Sequence, residues 1–253
     1  MCRARRGRTH DTPRANRGGN VLRVNRITVL NVVTAIAILA ALYLALIQAP
    51  DPANVDSEAQ RYAQRIIYFH ISNAWVGFFA FLVTFLGSVL YLWKGERRWD
   101  ILALSSVEVG VAFMTATIIT GSIWAKPAWN TWWTWDPRLT TSTITWLIYV
   151  SYLMLRSALD DPARRARFAA VYGVAGFVSV PITFFAIRWW RTIHPVLFDA
   201  SNMGLSPNMR FPFFFSLGAF TLLYFAILIQ RVRVEQLADQ VARFKAFISA
   251  SMR

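Results

Sequence analysis

Cysteine is almost absent from this sequence: Cys2, close to the amino terminus, is the only one in 253 residues. A single cysteine excludes an internal disulfide, a thiolate metal cluster, a C-x-x-C redox pair and the C-x-x-C-H sequence that attaches haem covalently. Walker, G-x-G-x-x-G and G-x-S-x-G motifs are also missing from the sequence. We therefore expect no ATP hydrolysis by this chain alone.

Charged residues are scarce as well. They make up 16% of the chain against 56% hydrophobic residues, and the apolar residues fall in long runs. A membrane-spanning helix needs about 20 mostly apolar residues, and each run is too long and continuous for a barrel strand. The sequence therefore predicts an all-α, multi-pass membrane protein with six spans. The runs cover residues 27–49, 71–93, 101–123, 139–155, 168–187 and 211–230.

The charges that are present are mostly basic and give a net charge of +14. Twenty of the 27 Lys and Arg residues fall in segments 1–26, 94–100, 156–167 and 231–253, which share one side of a six-span protein. This asymmetry follows the positive-inside rule, so we expect both termini in the cytoplasm. The basic charge thus indicates topology, with contact to anionic lipid head groups as a second role, and not nucleic-acid binding.

The two ends of the chain differ from the membrane domain predicted at residues 21–230. Residues 1–20 are rich in Arg, Gly, Asn and Thr and have no hydrophobic pattern, which predicts a disordered basic tail. Residues 231–253 predict an amphipathic helix at the cytoplasmic surface, because apolar residues recur there at helical spacing. These apolar residues are Val234, Leu237, Val241, Phe244 and Phe247.

The most distinctive stretch is residues 124–140, the tryptophan segment, which forms the external loop predicted between the third and fourth spans. Five of the eleven tryptophans lie within twelve of its residues. Tryptophans at a membrane boundary are often single anchors. At this density, the segment equally suits a surface that holds a flat, amphipathic ligand. The five are Trp124, Trp129, Trp132, Trp133 and Trp135.

Two of the three histidines share the predicted external face with the tryptophan segment. His70 lies where the first connection enters the second span, and His194 lies in the fifth connection. Neutral imidazole is a common ligand of haem iron, and two loops can approach an iron from opposite faces. A lone interfacial histidine is more often structural. Basic residues suited to haem propionates are Lys126, Arg138, Arg188 and Arg191.

Three further residues have structural interpretations of their own. Asp136 before Pro137 predicts the start of the fourth helix, with the carboxylate as its cap. Glu108 lies inside the third span, where an ionisable group either serves a partner or proton path, or snorkels or is hydrogen-bonded near the cytoplasmic edge; we favour the second, structural interpretation. Pro181 predicts a kink in the fifth span.

The tryptophan segment resembles the signature of the CcmC family, the haem exporter C subunits of cytochrome c maturation, through its ending W-W-x-W-D-x-R-L-T. The resemblance covers roughly residues 22–230, with six spans, His70, His194 and Glu108 in corresponding places. It departs at Ala125, where the family pattern has glycine.

The resemblance implies a haem-delivery subunit and not an enzyme. It implies that His70 and His194 are axial ligands of transiently and non-covalently bound haem b at the periplasmic face of the bacterial inner membrane. The implied partners are a periplasmic haem chaperone, a separate ATP-binding-cassette pair and a small single-span subunit. The implied haem-binding residues are Trp124, Trp129, Trp132, Trp133, Trp135, Asp136 and Arg138.

Three other functions remain open from the sequence. One is a haem lyase or synthase of the second maturation system, although those relatives are longer and have further histidines. Another is a transporter that conducts haem by itself, for which broken helices and midplane polar pairs are expected. The third is a structural membrane subunit whose tryptophans are anchors.

Overall fold

The computed structural model describes residues 18–50, 57–197 and 204–252, with side chains given from residue 26 onward. In this part of the chain the structure is helical and contains no strand. Cys2 and His10 lie outside the described residues, and residues 18–20 of the predicted tail already belong to the first helix. The helices are α1 (Gly18–Tyr43, continued by a π-helix at Leu44–Gln48), α2 (Glu58–Gln64), α3 (Ile67–Lys94), α4 (Arg97–Trp129), α5 (Pro137–Ser157), α6 (Pro162–Gly176), α7 (Ser179–Trp189) and α8 (Pro207–Ser251).

Within the described ranges, five helical segments are long and apolar enough to cross a membrane, which confirms the predicted all-α, multi-pass class. The fourth predicted span corresponds to α5, which is less apolar but, at about 31 Å, matches a bilayer core of about 30 Å. Several of its hydroxyl groups bond to its own backbone, as Thr141 Oγ1 does to the carbonyl of Pro137 at 2.8 Å. The five segments are Arg26–Gln48, Glu58–Lys94, Arg97–Trp129, Pro162–Trp189 and Pro207–Ser251.

The kink predicted from Pro181 occurs as a break between α6 and α7. Proline has no N–H to bond the carbonyl four residues earlier, which belongs to Phe177. That carbonyl instead accepts from the N–H of Val180 at 3.0 Å. The fifth span is therefore two helices joined at residues 177–178.

Several helices extend beyond their apolar runs. Helix α4 continues through Trp129, so the connection to α5 is only residues 130–136. Helix α8 has 45 residues, about 67 Å, and no break at residue 231, so the carboxy-terminal segment is its last part and not a separate helix. Its placement at the membrane surface stays a prediction, although its five apolar side chains are exposed.

One of the buried hydrophobic clusters of the described residues lies among α3, α4, α5, α6 and α7. Phe81 stacks on Tyr149 with ring centroids 3.7 Å apart, and both side chains are fully buried. Gly110 allows α3 and α4 to approach closely, because a Cβ at this position would lie 2.8 Å from Cε1 of Phe81. This interface fixes the direction of α4, whose two ends carry different chemistry.

The amino-terminal half of α4 is held by ion pairs. Arg156 of α5 donates to both carboxylate oxygens of the buried Asp100, at 2.5 and 3.1 Å. Glu108 accepts from Arg231 of α8 at 2.5 and 2.9 Å. The hydrogen-bonded interpretation of Glu108 therefore fits the structure, with an arginine that hydropathy did not identify. The tryptophans lie at the opposite end of α4.

Candidate functional site

The predicted site residues come from five places in the fold. His70 lies in the first turn of α3, and Trp124 and Trp129 lie in the last turns of α4 rather than in a loop. The remaining tryptophans lie in the short α4–α5 connection. Asp136 caps α5, and His194 lies in the segment after α7.

The two histidine rings lie close together, with centroids 6.4 Å apart and planes inclined by 36°. Nδ1 of His70 is 3.1 Å from the carbonyl of Thr117, and Nδ1 of His194 is 3.1 Å from the carbonyl of Pro195. Because a carbonyl only accepts, each Nδ1 carries the proton. Nε2 of each ring then keeps the lone pair that a metal requires, the arrangement usual for metal-binding histidine.

This pair fits one class of metal site. A metal–imidazole bond is about 2.0 Å long, so two imidazoles that bind one ion from opposite sides through Nε2 have centroids about 6 Å apart. Among the described residues, no group of three or more His, Cys, Asp or Glu side chains gathers to hold an ion. Two imidazoles suit an iron whose other ligands come from a macrocycle.

Asp136 joins the tryptophan segment to the segment that carries His194. Its Oδ1 accepts from the N–H of Arg138 at 2.9 Å, which is the predicted helix cap. Oδ1 also accepts from the hydroxyl of Thr192 at 2.6 Å, and Oδ2 accepts from the N–H of Ile193 at 2.9 Å. Burial raises the pKa of Asp136, but these three bonds together hold the pKa below its usual value. The carboxylate is therefore ionised at neutral pH.

His194 is neutral under the same conditions. Burial and then the nearby guanidinium of Arg138 lower the pKa of His194 to about 4, against smaller opposing effects of the Pro195 carbonyl and of Asp136. A neutral imidazole is the form that binds iron.

Arg138 points into the protein. Its guanidinium donates to the backbone carbonyls of Thr183 and, at 3.2 Å, of Phe184, and lies 5.9 Å from the centroid of Phe78. Lys126 donates to the carbonyl of Asn130 at 3.2 Å. Two of the four cations suggested for propionates thus make contacts within the fold. The side chains of Lys126, Arg188 and Arg191 are exposed.

The tryptophans form two edge-to-face pairs and not one flat surface. Trp124 and Trp129 have centroids 5.1 Å apart, and Trp133 and Trp135 have centroids 5.9 Å apart. Trp135 is 74% exposed and Trp132 is 59% exposed. These two side chains offer the largest accessible aromatic area of the segment to a ligand.

Several residues of the site carried no signal in the sequence. Gln64 of α2 accepts from the indole N–H of Trp124 at 3.2 Å, and Gly121 of α4 lies against the ring of His70. Thr192 was detectable only as a hydroxyl two residues before a histidine. Ala125, where the family signature has glycine, is buried in regular helix and needs no positive φ.

Comparison with known proteins gives consistent matches over most of the chain. The family model CcmC, described as Heme exporter protein C, matches residues 17–246. The Heme exporter protein C of Bradyrhizobium diazoefficiens is 32% identical over 200 residues, 78% of this chain and 76% of that relative. The Escherichia coli K12 protein of the same name is 32% identical over 173 residues, 67% and 69% of the two chains. The Paracoccus denitrificans protein of that name is 29% identical over 177 residues, 68% and 72% of the two chains.

Proposed function

Because this chain belongs to the haem exporter protein C family, we propose that it binds haem at the external membrane face and presents it for cytochrome c maturation. The observation that carries this proposal is the pair His70 and His194, with both Nδ1 atoms on carbonyls. The 6.4 Å between their centroids supports bis-histidine ligation of one iron. In this proposal the haem is cargo, which binds and leaves.

The exposed tryptophans supply the apolar contact that a porphyrin needs. Trp132 and Trp135 are accessible beside the segment that Asp136 ties down. Indole rings bury large apolar area and pack well on other aromatic systems. We propose that haem b is surrounded by Trp124, Trp129, Trp132, Trp133 and Trp135. Arg138 would support the site through its contacts with the carbonyls of Thr183 and Phe184 and not by touching haem.

Binding in this proposal is non-covalent, since the chain has no C-x-x-C-H sequence. Haem held by two imidazoles and by apolar contacts can be passed on without breaking a bond to carbon. The proposed recipient is a periplasmic haem chaperone. The energy for haem binding and release would come from a separate ATP-binding-cassette pair. A small single-span subunit would complete the complex in the bacterial inner membrane.

The proposal is tested on the purified full-length chain in detergent with ferric haem. We expect a low-spin spectrum typical of two histidine ligands. His70→Ala and His194→Ala should each convert it towards a high-spin spectrum and weaken haem retention, whereas His10→Ala, in the tail, should leave it unchanged. If both single variants fold normally and keep the wild-type spectrum, the ligand assignment is wrong.

A further inference from the structure

The segment after α7 is attached to the start of α5 through side-chain hydrogen bonds that converge on one carboxylate. Thr192 and Ile193 bond the two oxygens of Asp136 at 2.6 and 2.9 Å, across 56 and 57 positions of sequence. A helix cap needs only one of these oxygens. The bond from Thr192 to Oδ1 and the bond from Ile193 to Oδ2 are therefore not needed for capping, and they serve another purpose.

Thr192 carries the connection from Asp136 to His194. Its hydroxyl donates to Oδ1 of Asp136 and accepts, at 3.0 Å, from the backbone N–H of His194. A hydroxyl has one proton to give and lone pairs to receive with. Because the carboxylate takes the proton, the hydroxyl is oriented to accept from His194. The backbone position of His194 is thereby fixed relative to α5.

We propose that Asp136 and Thr192 are positioning residues that hold His194 in place for the iron, and that Asp136 acts through this clamp rather than by contact with haem. The assignment rests on the proposed function above, in which His194 is a ligand. It gives Thr192 a role and replaces the role in haem contact implied for Asp136. Replacing a residue that orients a metal ligand typically lowers the affinity for the metal by about 10- to 100-fold.

The first experiment needs no haem. Amide hydrogen exchange across residues 190–197 is measured in the full-length protein for the wild type, Thr192→Val, Thr192→Ser and Asp136→Asn. We expect the His194 amide of Thr192→Val to exchange about tenfold faster, because a hydrogen bond tied to a charged group is lost. Thr192→Ser keeps the hydroxyl and should match the wild type.

Asp136→Asn separates the clamp from the cap. Asparagine caps helices as well as aspartate does, but its amide group would face the N–H of Ile193 donor to donor. We expect α5 to remain protected while the Ile193 amide exchanges about tenfold faster. Thr134→Val is the matched control, because its hydroxyl is buried nearby without a partner among the described residues. Unchanged exchange at both amides in Thr192→Val and Asp136→Asn would overturn the clamp.

The second experiment measures the spin state of bound ferric haem. Thr192→Val should move the spectrum towards that of His194→Ala, and the double variant should equal His194→Ala alone, since a positioning residue has no effect without the group it positions. Thr192→Val combined with His70→Ala should weaken haem binding further than His70→Ala alone. If the double variant Thr192→Val and His194→Ala binds haem much more weakly than His194→Ala alone, the proposal is contradicted. If His194→Ala leaves the spectrum unchanged, the ligand assignment fails, and the haem-free exchange result still decides the clamp.

Discussion

Gly121 of α4 lies directly against the imidazole of His70: a Cβ at Gly121 would be 2.9 Å from Cε1 of His70. Real Cβ contacts are not that short, so the ring occupies space that only glycine leaves open at this position. The same turn of α4 supplies the Thr117 carbonyl that accepts from Nδ1 of His70. Helix α4 therefore sets both the location and the tautomer of this histidine.

Gly121→Ala should displace the His70 ring and lower the affinity for ferric haem about tenfold, the lower end of the usual effect of disturbing a ligand's surroundings. Alanine is the better helix former by about 1 kcal/mol, so weaker binding would not reflect a weaker helix. Spectral titration with haem measures the change. Gly218→Ala is the control, because nothing lies within 4 Å of its Cβ position. Equal affinities of the two variants would contradict the steric argument.

Replacing Trp132 and Trp133 together with alanine should accelerate haem loss while leaving membrane insertion and folding intact. The reason is that Trp132 is 59% exposed and the indole N–H of Trp133 has no partner among the described residues. Haem transfer to an excess of an apo-haem protein measures the loss rate. Trp93→Ala, 78% exposed at the other end of α3, is the matched control. If insertion fails instead, the tryptophans are anchors.

Hydropathy and residue type predicted the helical membrane class, the cap at Asp136 and the break near Pro181. These features depend on local sequence: apolar run length, a capping carboxylate and a missing N–H. The extension of α4 to Trp129 was not predicted, because tryptophan and Pro127 there suggest a loop. The pairing of Thr192 with Asp136 could not be predicted either, since it depends on how α5 and α7 pack.

The ion pair of Asp100 with Arg156 also depends on packing. It should be the main contribution to stability at the amino-terminal end of α4, opposite the tryptophans. Asp100→Asn leaves a buried guanidinium without its charge partner, which typically costs about 3–5 kcal/mol of unfolding free energy. Reversible unfolding in mixed detergent measures this loss. Glu96→Gln breaks the exposed pair with Arg98 and should cost at most about 1 kcal/mol. Similar losses in both variants would show that burial is not the cause.

The low pKa of His194 predicts a pH dependence of stability in the haem-free protein. The pKa is about 4 in the folded chain, against about 6.5 for an unperturbed histidine. Between these values the unfolded chain binds the proton and the folded chain does not, so unfolding becomes easier as pH falls. The contribution of neutral His194 is complete above about pH 6.5 and is lost as pH drops towards 4.

His194→Gln, which cannot titrate, should therefore show a flatter decline in unfolding free energy than the wild type between pH 6.5 and pH 4. NMR titration of the His194 ring gives the pKa directly, and a midpoint near 6.5 would contradict the burial and the Arg138 effect together.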